Sequence, residues 1–184
     1  MPHEPSSRWL VSTDWLAERL GASDIVVVDG SSYLSTMQRD AAAEYLAGHI
    51  PGAVRFDIDA IADHSNPLPH MLPDATQFAR DVGALGIADT DTIVVYDGAG
   101  LYSAPRVWWT FRLFGADKVF ILDGGLPKWR QEGRPIAAVE LLLQLFDGNG
   151  GDREHASKLS VFSDQFSVFW LEERDAYRCP ALSS

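Results

Sequence analysis

Residues 92–106 read TIVVYDGAGLYSAPR, and this stretch decides the fold. An apolar run of strand length at 92–96 leads into a loop that contains two glycines, and a helix begins near Ala104. A strand that ends just before a helix begins directs several unpaired backbone N–H groups and the positive end of the helix dipole toward one point. The stretch therefore predicts an anion-binding loop, here called the cradle (residues 97–104), of the kind that holds a nucleophile at its first position.

The first position of the cradle holds Asp97, and the single cysteine of the chain, Cys179, lies near the C-terminus. Asp97 could act as a nucleophile, bind a cation, or cap the loop by accepting hydrogen bonds from the surrounding N–H groups. A phosphoaspartyl enzyme would need a second carboxylate two positions later, where Ala99 stands. We favour the capping role. The pattern is thus typical of an active site that lacks the expected nucleophile.

The chain on either side of the cradle alternates between helical and strand patterns. Predicted strands are mostly apolar runs at 25–28, 53–56, 92–96 and 118–122. Predicted helices begin after Ser12 or Thr13, after Asp40, after Asp74, at Ala104 and after Gly124, and they end at Gly21, before Pro51, at Gly86, at Gly115 and near Gly133. Apolar strands that alternate with helices predict an α/β fold, an open parallel sheet covered by helices on both faces.

This alternation ends at Pro135. We expect one domain at 9–135 and a tail at 136–184, in which 137–146 is a helical candidate. The tail has no place in the alternating pattern, and the sequence leaves open whether it packs on the domain, pairs with another chain or stays partly disordered.

Composition restricts the class of protein. A chain of 184 residues that is 46% hydrophobic is long enough for one well-buried domain. Its net charge of −11 would repel a phosphate backbone, so we expect no nucleic-acid partner. The first residues lack the features of a signal peptide, and the apolar runs fall far short of the roughly 20 residues of a membrane-spanning helix. We therefore expect a cytoplasmic protein with no membrane segment.

Two carboxylates precede a proline-rich loop. Asp57 and Asp59 have the two-residue spacing of a metal-dependent phosphatase, which is a remote alternative because Arg55 interrupts the preceding apolar run and Ala60 follows the second carboxylate. His64 and His70 are too few ligands to predict a metal, and we expect no metal or cofactor.

Other candidate residues lie around the cradle. His70 with Asp59 would form two-thirds of a relay that activates a hydroxyl or a thiol. Arg106 could pair with Asp97 or with an incoming anion, and Tyr102 could line a substrate entrance. The adjacent Trp108 and Trp109 are expected to pack in the core.

Residues 9–135 resemble a rhodanese-homology domain. The resemblance is carried by HIPGA at 49–53 and DGGLPKW at 123–129. More narrowly, DID at 57–59, HMLP at 70–73 and LYSAPRVWW at 101–109 are similar to the N-terminal domain of tandem sulfurtransferases of the 3-mercaptopyruvate or thiosulfate type. After Pro135 the sequence departs from that family, as a truncated or frame-shifted member or a free-standing relic would.

The resemblance implies a function for the candidate residues. In that family the C-terminal domain holds a cradle cysteine that accepts sulfur, and the N-terminal domain has lost it; Asp97 stands at that position here. The positions of Asp59 and His70 form a relay with a serine of the other domain, and that of Tyr102 lies near the substrate. The chain is expected to be a sulfurtransferase-family domain that lacks the cradle cysteine and is inactive alone, with a small sulfur donor and a second rhodanese domain or another protein as partners. The alternative is a non-catalytic protein-binding or regulatory module.

Overall fold

Five short strands form a parallel sheet in this computed structural model, which describes residues 7–138. The strands are β1 (Leu10–Val11), β2 (Ile25–Asp29), β3 (Val54–Arg55), β4 (Thr92–Tyr96) and β5 (Val119–Leu122), in the order β1-β5-β4-β2-β3. Every pairing between them is parallel. The predicted α/β fold is confirmed, and β4, the strand that leads into the cradle, is the central strand.

Helices connect the strands, and most of them begin where the sequence predicts. They are α1 (Thr13–Ala17), α2 (Ala41–Ala47), α3 (Ala75–Ala84), α4 (Ala104–Leu113) and α5 (Gly125–Gln131), with one 3₁₀ turn at Ser35–Met37. The side chains of Ser12, Asp40 and Asp74 each accept hydrogen bonds from backbone N–H groups in the first turn of the helix that follows. The predicted N-caps of α1, α2 and α3 are therefore confirmed.

The core lies on both faces of the sheet because successive side chains of a strand point to opposite faces. Ile93 and Val95 of β4 belong to one buried cluster, together with residues of α3 and α4 such as Phe78 and Phe111. Their neighbours in β4, Val94 and Tyr96, belong to a second buried cluster with Leu16 of α1 and Trp129 of α5. The prediction that helices cover both faces is thus confirmed.

One strand was missed and two local predictions are wrong. Strand β1 was not predicted, because two residues carry no periodic signal and its pairing with β5 depends on the tertiary fold. Helix α1 ends at Ala17 and not at Gly21. Trp109 is 42% exposed, although Trp108 is partly buried as expected and donates its indole N–H to the carbonyl of Val119.

Most of the predicted tail lies outside the described residues, as does Cys179. At its beginning Ala137 pairs with His49 in an isolated antiparallel bridge, so this position is extended and not helical. The domain boundary at 135 stays a prediction. Within residues 7–138, no helix has the length and apolar character that a membrane crossing requires.

Candidate functional site

The cradle lies at the carboxyl edge of the sheet, where the loops after β2 and β4 meet. Asp29, the last residue of β2, is the register partner of Tyr96, the last residue of β4. The loops that follow are joined by two hydrogen bonds: the Gly98 N–H donates to Ser31 Oγ at 2.9 Å, and the Ser32 N–H donates to Ser103 Oγ at 3.0 Å. The parallel register therefore fixes the cradle from the β2 side.

The carboxylate of Asp97 fills the cradle. Its residue is completely buried, and five backbone N–H groups donate to its two oxygens. Oδ1 accepts from Ala99 at 2.9 Å and Gly100 at 2.6 Å, and Oδ2 accepts from Tyr102 at 2.6 Å, Ser103 at 2.8 Å and Ala104 at 2.8 Å. The predicted convergence of N–H groups is present, and the capping role favoured for Asp97 is the one observed.

The start of α5 supports the cradle from the other side. The Leu126 N–H donates to the backbone carbonyl of Asp97 at 3.0 Å. Gly125 has a φ of +55°, and a Cβ at this position would lie only 2.7 Å from the same carbonyl oxygen. Glycine is therefore required here both for its backbone conformation and for the close approach of the two segments.

A polar network covers the outer side of the cradle, and its members were not predicted. Arg39 donates to the Gly98 carbonyl at 3.1 Å, to the Tyr33 hydroxyl at 2.7 Å and, through Nε, to a carboxylate oxygen of Glu44 at 2.7 Å. The Tyr33 hydroxyl donates to the other Glu44 oxygen at 2.9 Å, and an added Cβ at Gly98 would overlap this hydroxyl. Tyr33 and Arg39 come from the segment between β2 and α2, and Glu44 comes from α2, so only the register of β2 beside β4 could have indicated them.

The network shifts the titration of its members. Burial, helped by the neighbouring Glu44 carboxylate, raises the pKa of the Tyr33 hydroxyl to about 12. The hydrogen bond from Arg39 holds the pKa of Glu44 below its ordinary value. The phenol is therefore protonated and Glu44 ionised at neutral pH, which is the pairing that their hydrogen bond requires.

Asp59 and His70 meet as the sequence predicted. His70 Nδ1 lies 2.6 Å from Asp59 Oδ1, at a position where both side chains are more than half exposed. They line a cavity of about 300 Å³ together with Asp63, His64 and the proline-rich loop. A carboxylate at Nδ1 fixes the tautomer of a neutral imidazole, so Nε2 is the nitrogen that would accept a proton.

Arg106 contacts His70 and not Asp97. Its Nη2 donates to the backbone carbonyl of His70 at 2.6 Å, and its guanidinium lies over the ring of Trp109. His70 has a φ of +59°, which is uncommon for a residue with a side chain, so the hydrogen bond from Arg106 holds a strained backbone. The predicted pairing of Arg106 with Asp97 is therefore wrong, because the path of the proline-rich loop brings His70 to Arg106. Tyr102 is 47% exposed at the surface of the cradle.

The two carboxylates of the DID motif have different partners. Asp57 accepts the N–H groups of Asp59 and Ala60 and pairs with Arg55 at 2.9 Å, whereas Asp59 pairs with His70. Although burial opposes it, the Ala60 N–H and the charge of Arg55 hold the pKa of Asp57 below its ordinary value. Among residues 7–138, no three His, Cys, Asp or Glu side chains are grouped so that they could hold a metal ion. The phosphatase alternative gains no support from this arrangement.

Comparison with known proteins identifies a family for most of the described chain. Residues 12–132 match the model of the rhodanese-like domain. The chain is 56% identical over 127 residues to thiosulfate/3-mercaptopyruvate sulfurtransferase 2 of Arabidopsis thaliana, a match that covers 69% of this chain and 37% of that protein. It is 47% identical over 139 residues to the 3-mercaptopyruvate sulfurtransferase of Escherichia coli K12, covering 74% of this chain and 50% of that protein.

Solved structures support the same family. A crystal structure of a 3-mercaptopyruvate sulfotransferase from Escherichia coli superimposes with a TM-score of 0.68 at 44% sequence identity, covering 72% of this chain and 51% of that one. The Tum1 protein of Saccharomyces cerevisiae superimposes with a TM-score of 0.64 at 33% identity, covering 71% of this chain and 44% of that one. The chain thus spans about one third to one half of the length of these relatives.

Proposed function

The chain belongs to the rhodanese-like domain family, as a sulfurtransferase-type member, and from that premise we propose that its cradle does not itself accept sulfur. The observation that carries the proposal is the Asp97 carboxylate, buried at the first cradle position and bound by five N–H groups. Sulfur transfer through a persulfide needs a thiolate that attacks the transferable sulfur of the donor and breaks that sulfur's bond to the rest of the donor, which leaves as sulfite from thiosulfate or as the enolate of pyruvate from 3-mercaptopyruvate. A carboxylate cannot form that intermediate, and its charge repels an anionic donor from the same N–H groups.

The domain contributes to a site that a second domain completes. The relatives are named for thiosulfate and 3-mercaptopyruvate, and these small sulfur donors are the proposed substrates. The Asp59–His70 pair would take a proton from a hydroxyl supplied by the partner, because Asp59 occupies Nδ1 and leaves Nε2 for that role. Tyr102 is exposed beside the cradle and would contact the donor, and Arg106 acts through the His70 backbone that it holds.

The proposed partner is a rhodanese domain that carries a cysteine in its own cradle. Leu101, Tyr102 and Trp109 are large side chains on the cradle loop and α4 that are each at least 40% exposed. Exposed apolar side chains close together in sequence favour a protein contact. The same observation favours the second candidate, a protein-binding or regulatory module without catalysis.

The two candidates differ in what the Asp59–His70 pair does. In a complex with a cysteine-bearing rhodanese domain, His70→Gln should lower the rate of sulfur transfer by about 10²-fold or more if the imidazole moves a proton. If the domain is only a binding module, His70→Gln should leave both transfer and partner binding unchanged.

Intact mass after thiosulfate treatment tests the cradle itself. The comparison uses the Cys179→Ser chain and the Asp97→Cys/Cys179→Ser chain, so that the only thiol present lies in the cradle. We expect the second protein to gain one sulfur atom, which dithiothreitol removes, because five N–H groups would stabilise the persulfide anion. The Cys179→Ser chain, which has no thiol, should gain none. An unchanged mass of the Asp97→Cys/Cys179→Ser protein would show that the cradle cannot hold a persulfide even when a thiol is present.

A further inference from the structure

We propose that Trp109 and Arg106 together position the imidazole of His70, so that both are positioning residues for the Asp59–His70 pair. Trp109 holds the guanidinium of Arg106, and Arg106 holds the backbone from which the imidazole extends. The inference rests on the proposed function in one respect, because the pair needs a fixed imidazole only if that imidazole moves a proton.

The contact between Asp59 and His70 is too exposed to fix the imidazole by itself. Nδ1 and Oδ1 lie 2.6 Å apart, but the two side chains are 69% and 53% exposed. Water competes for both groups at such a position, and exposed contacts between ionisable side chains contribute little to their order. The orientation of the ring therefore depends on how the backbone of His70 is held.

The backbone of His70 has an uncommon conformation that two hydrogen bonds hold. Its φ is +59°. The His70 carbonyl accepts from Arg106 Nη2 at 2.6 Å, and the next carbonyl, that of Met71, accepts the N–H of Asp63 at 2.9 Å. The second bond closes the loop on itself, whereas the first comes from α4. Arg106 is thus the residue that fixes this end of the loop to a helix.

Trp109 gives the guanidinium of Arg106 a fixed position. The two residues are three positions apart in α4, so their side chains lie on one face of the helix. The guanidinium carbon lies 5.1 Å from the centroid of the Trp109 ring, within the range of a cation–π contact. A long side chain loses rotamer freedom when it makes a hydrogen bond, and this loss is smaller when a ring already restricts it. The stacked arginine therefore holds the His70 carbonyl more firmly than an unstacked one would.

This role explains why only one of the two adjacent tryptophans packs inward. Trp108 donates its indole N–H to the Val119 carbonyl at 2.9 Å, whereas Trp109 is exposed and carries the Arg106 guanidinium on its ring. Part of the Trp109 ring is still accessible to a partner. The positioning role and the proposed protein contact therefore do not exclude each other.

Nitrogen-15 NMR of the imidazole rings in the full chain tests the inference without sulfur transfer. At about pH 9, where an imidazole is neutral, the shifts of Nδ1 and Nε2 show which nitrogen carries the proton. Two other histidines are internal references, because His49 Nδ1 lies 2.7 Å from the Tyr45 carbonyl and His64 Nε2 lies 3.2 Å from the Ala60 carbonyl. A carbonyl only accepts, so the proton is on Nδ1 in His49 and on Nε2 in His64. His70→Gln identifies the signals of His70.

In the unsubstituted protein we expect the His70 shifts to match the pattern of His49, with the proton on Nδ1. Trp109→Leu and Arg106→Gln should each move the two His70 shifts toward each other, because a ring that reorients exchanges between both tautomers. Trp109→Phe keeps an aromatic face for the guanidinium and should retain the unsubstituted pattern. Leu113→Ala is the matched control, since Leu113 is another exposed apolar residue of α4, and it should leave the His70 shifts unchanged.

Sulfur transfer in a complex with a cysteine-bearing rhodanese domain is the second measurement. Trp109→Leu should lower kcat by about 3–10-fold with KM nearly unchanged, because the imidazole is misplaced while the donor still binds. Trp109→Phe should keep the unsubstituted kcat.

Unchanged His70 shifts in Arg106→Gln or in Trp109→Leu would overturn the inference. A loss of partner affinity in Trp109→Leu with unchanged His70 shifts would overturn it in the same way and leave Trp109 as a contact residue only. The proposed function fails differently: if the shifts change as expected but His70→Gln does not slow transfer, the imidazole is positioned as inferred and moves no proton.

Discussion

Asp97 differs from the helix-capping aspartates in that both of its carboxylate oxygens accept hydrogen bonds. Oδ1 accepts two and Oδ2 accepts three, whereas Asp40 accepts its two N–H groups with Oδ1 alone. An asparagine can therefore replace Asp40 without loss of an acceptor. An asparagine at position 97 would replace one of the two accepting oxygens with an NH₂ group, which would then face at least two backbone N–H groups.

We accordingly expect Asp97→Asn to lower the free energy of unfolding by about 2–4 kcal/mol. The loss has two causes: the NH₂ group leaves buried N–H donors without an acceptor, and the hydrogen bonds to a charged carboxylate are lost. Asp40→Asn should cost less than about 1 kcal/mol, because asparagine and aspartate are equivalent at an N-cap. Urea unfolding measures the free energy of unfolding of both variants. Equal losses in the two variants would show that the cradle is an ordinary cap.

The Arg39–Glu44 contact predicts how stability depends on pH. Because the hydrogen bond from Arg39 lowers the pKa of Glu44 in the folded state, its contribution is complete above the ordinary value of 4.5 and is lost as the pH falls through the lower folded value. The difference in stability between the unsubstituted protein and Glu44→Gln should therefore shrink on acidification below 4.5. The effect is modest, since the Glu44 side chain is 40% exposed.

Urea unfolding at several pH values gives this difference directly. Arg39→Gln is the matched control, because without the guanidinium Glu44 loses the partner that lowers its pKa. A gap between the unsubstituted protein and Glu44→Gln that stays constant across the acid range would show that the contact does not alter the titration of Glu44.

At the scale of single residues, the sequence predicts those roles that depend on hydrogen bonds to neighbouring residues of the chain. An aspartate after a strand commonly caps the following turn, and the Asp97 capping role follows from that rule. The contact of Arg106 with His70 does not, because it joins residues 36 positions apart through the path of an irregular loop. Tyr33, Arg39 and Glu44 were missed for the same reason.

At the scale of elements, the first turn of α5 is a support for the cradle. Gly124 and Gly125 both have positive φ, and together they bring the Leu126 N–H to the Asp97 carbonyl. The glycines of the DGGLPKW motif are thus needed for packing against the cradle loop. The motif is recognisable in the sequence, but the loop that it contacts is known only from the structure.

Gly125→Ala should lower the free energy of unfolding by about 2–4 kcal/mol, since it adds a steric overlap to an unfavourable backbone conformation. Gly133→Ala is the matched control, because Gly133 also has positive φ but has open space around its Cα. It should cost about 1 kcal/mol, the backbone contribution alone. Denaturant unfolding distinguishes the two costs, and a Gly125→Ala loss no larger than that of Gly133→Ala would show that α5 does not support the cradle closely.

Strands and helices differ in how far they could be predicted. The helix starts at Ser12, Asp40 and Asp74 follow from local capping chemistry and are confirmed. Strand β1 has two residues and exists only because the chain lies beside β5. Short edge strands of this kind have no sequence periodicity to detect.

At the scale of the whole molecule, the sequence predicts a parallel α/β sheet, but periodicity does not give the strand order. The order β1-β5-β4-β2-β3 places β4 at the centre and joins the loops after β2 and β4 at one edge. In open parallel sheets, sites form at the carboxyl ends of the strands, and the cradle lies there. The resemblance carried by the HIPGA and DGGLPKW motifs is what indicates the complete arrangement, and the family match agrees with it.

The central claim is that this chain does not transfer sulfur on its own, because its cradle has no thiol. The most direct test is a steady-state assay of the purified full chain with 3-mercaptopyruvate or thiosulfate as donor and cyanide as acceptor, beside the Cys179→Ser variant. We expect no turnover above the uncatalysed rate for either protein, because the cradle holds a carboxylate where a thiolate is needed. Turnover by the unsubstituted chain would contradict this account, and its loss in Cys179→Ser would identify Cys179 as the sulfur acceptor.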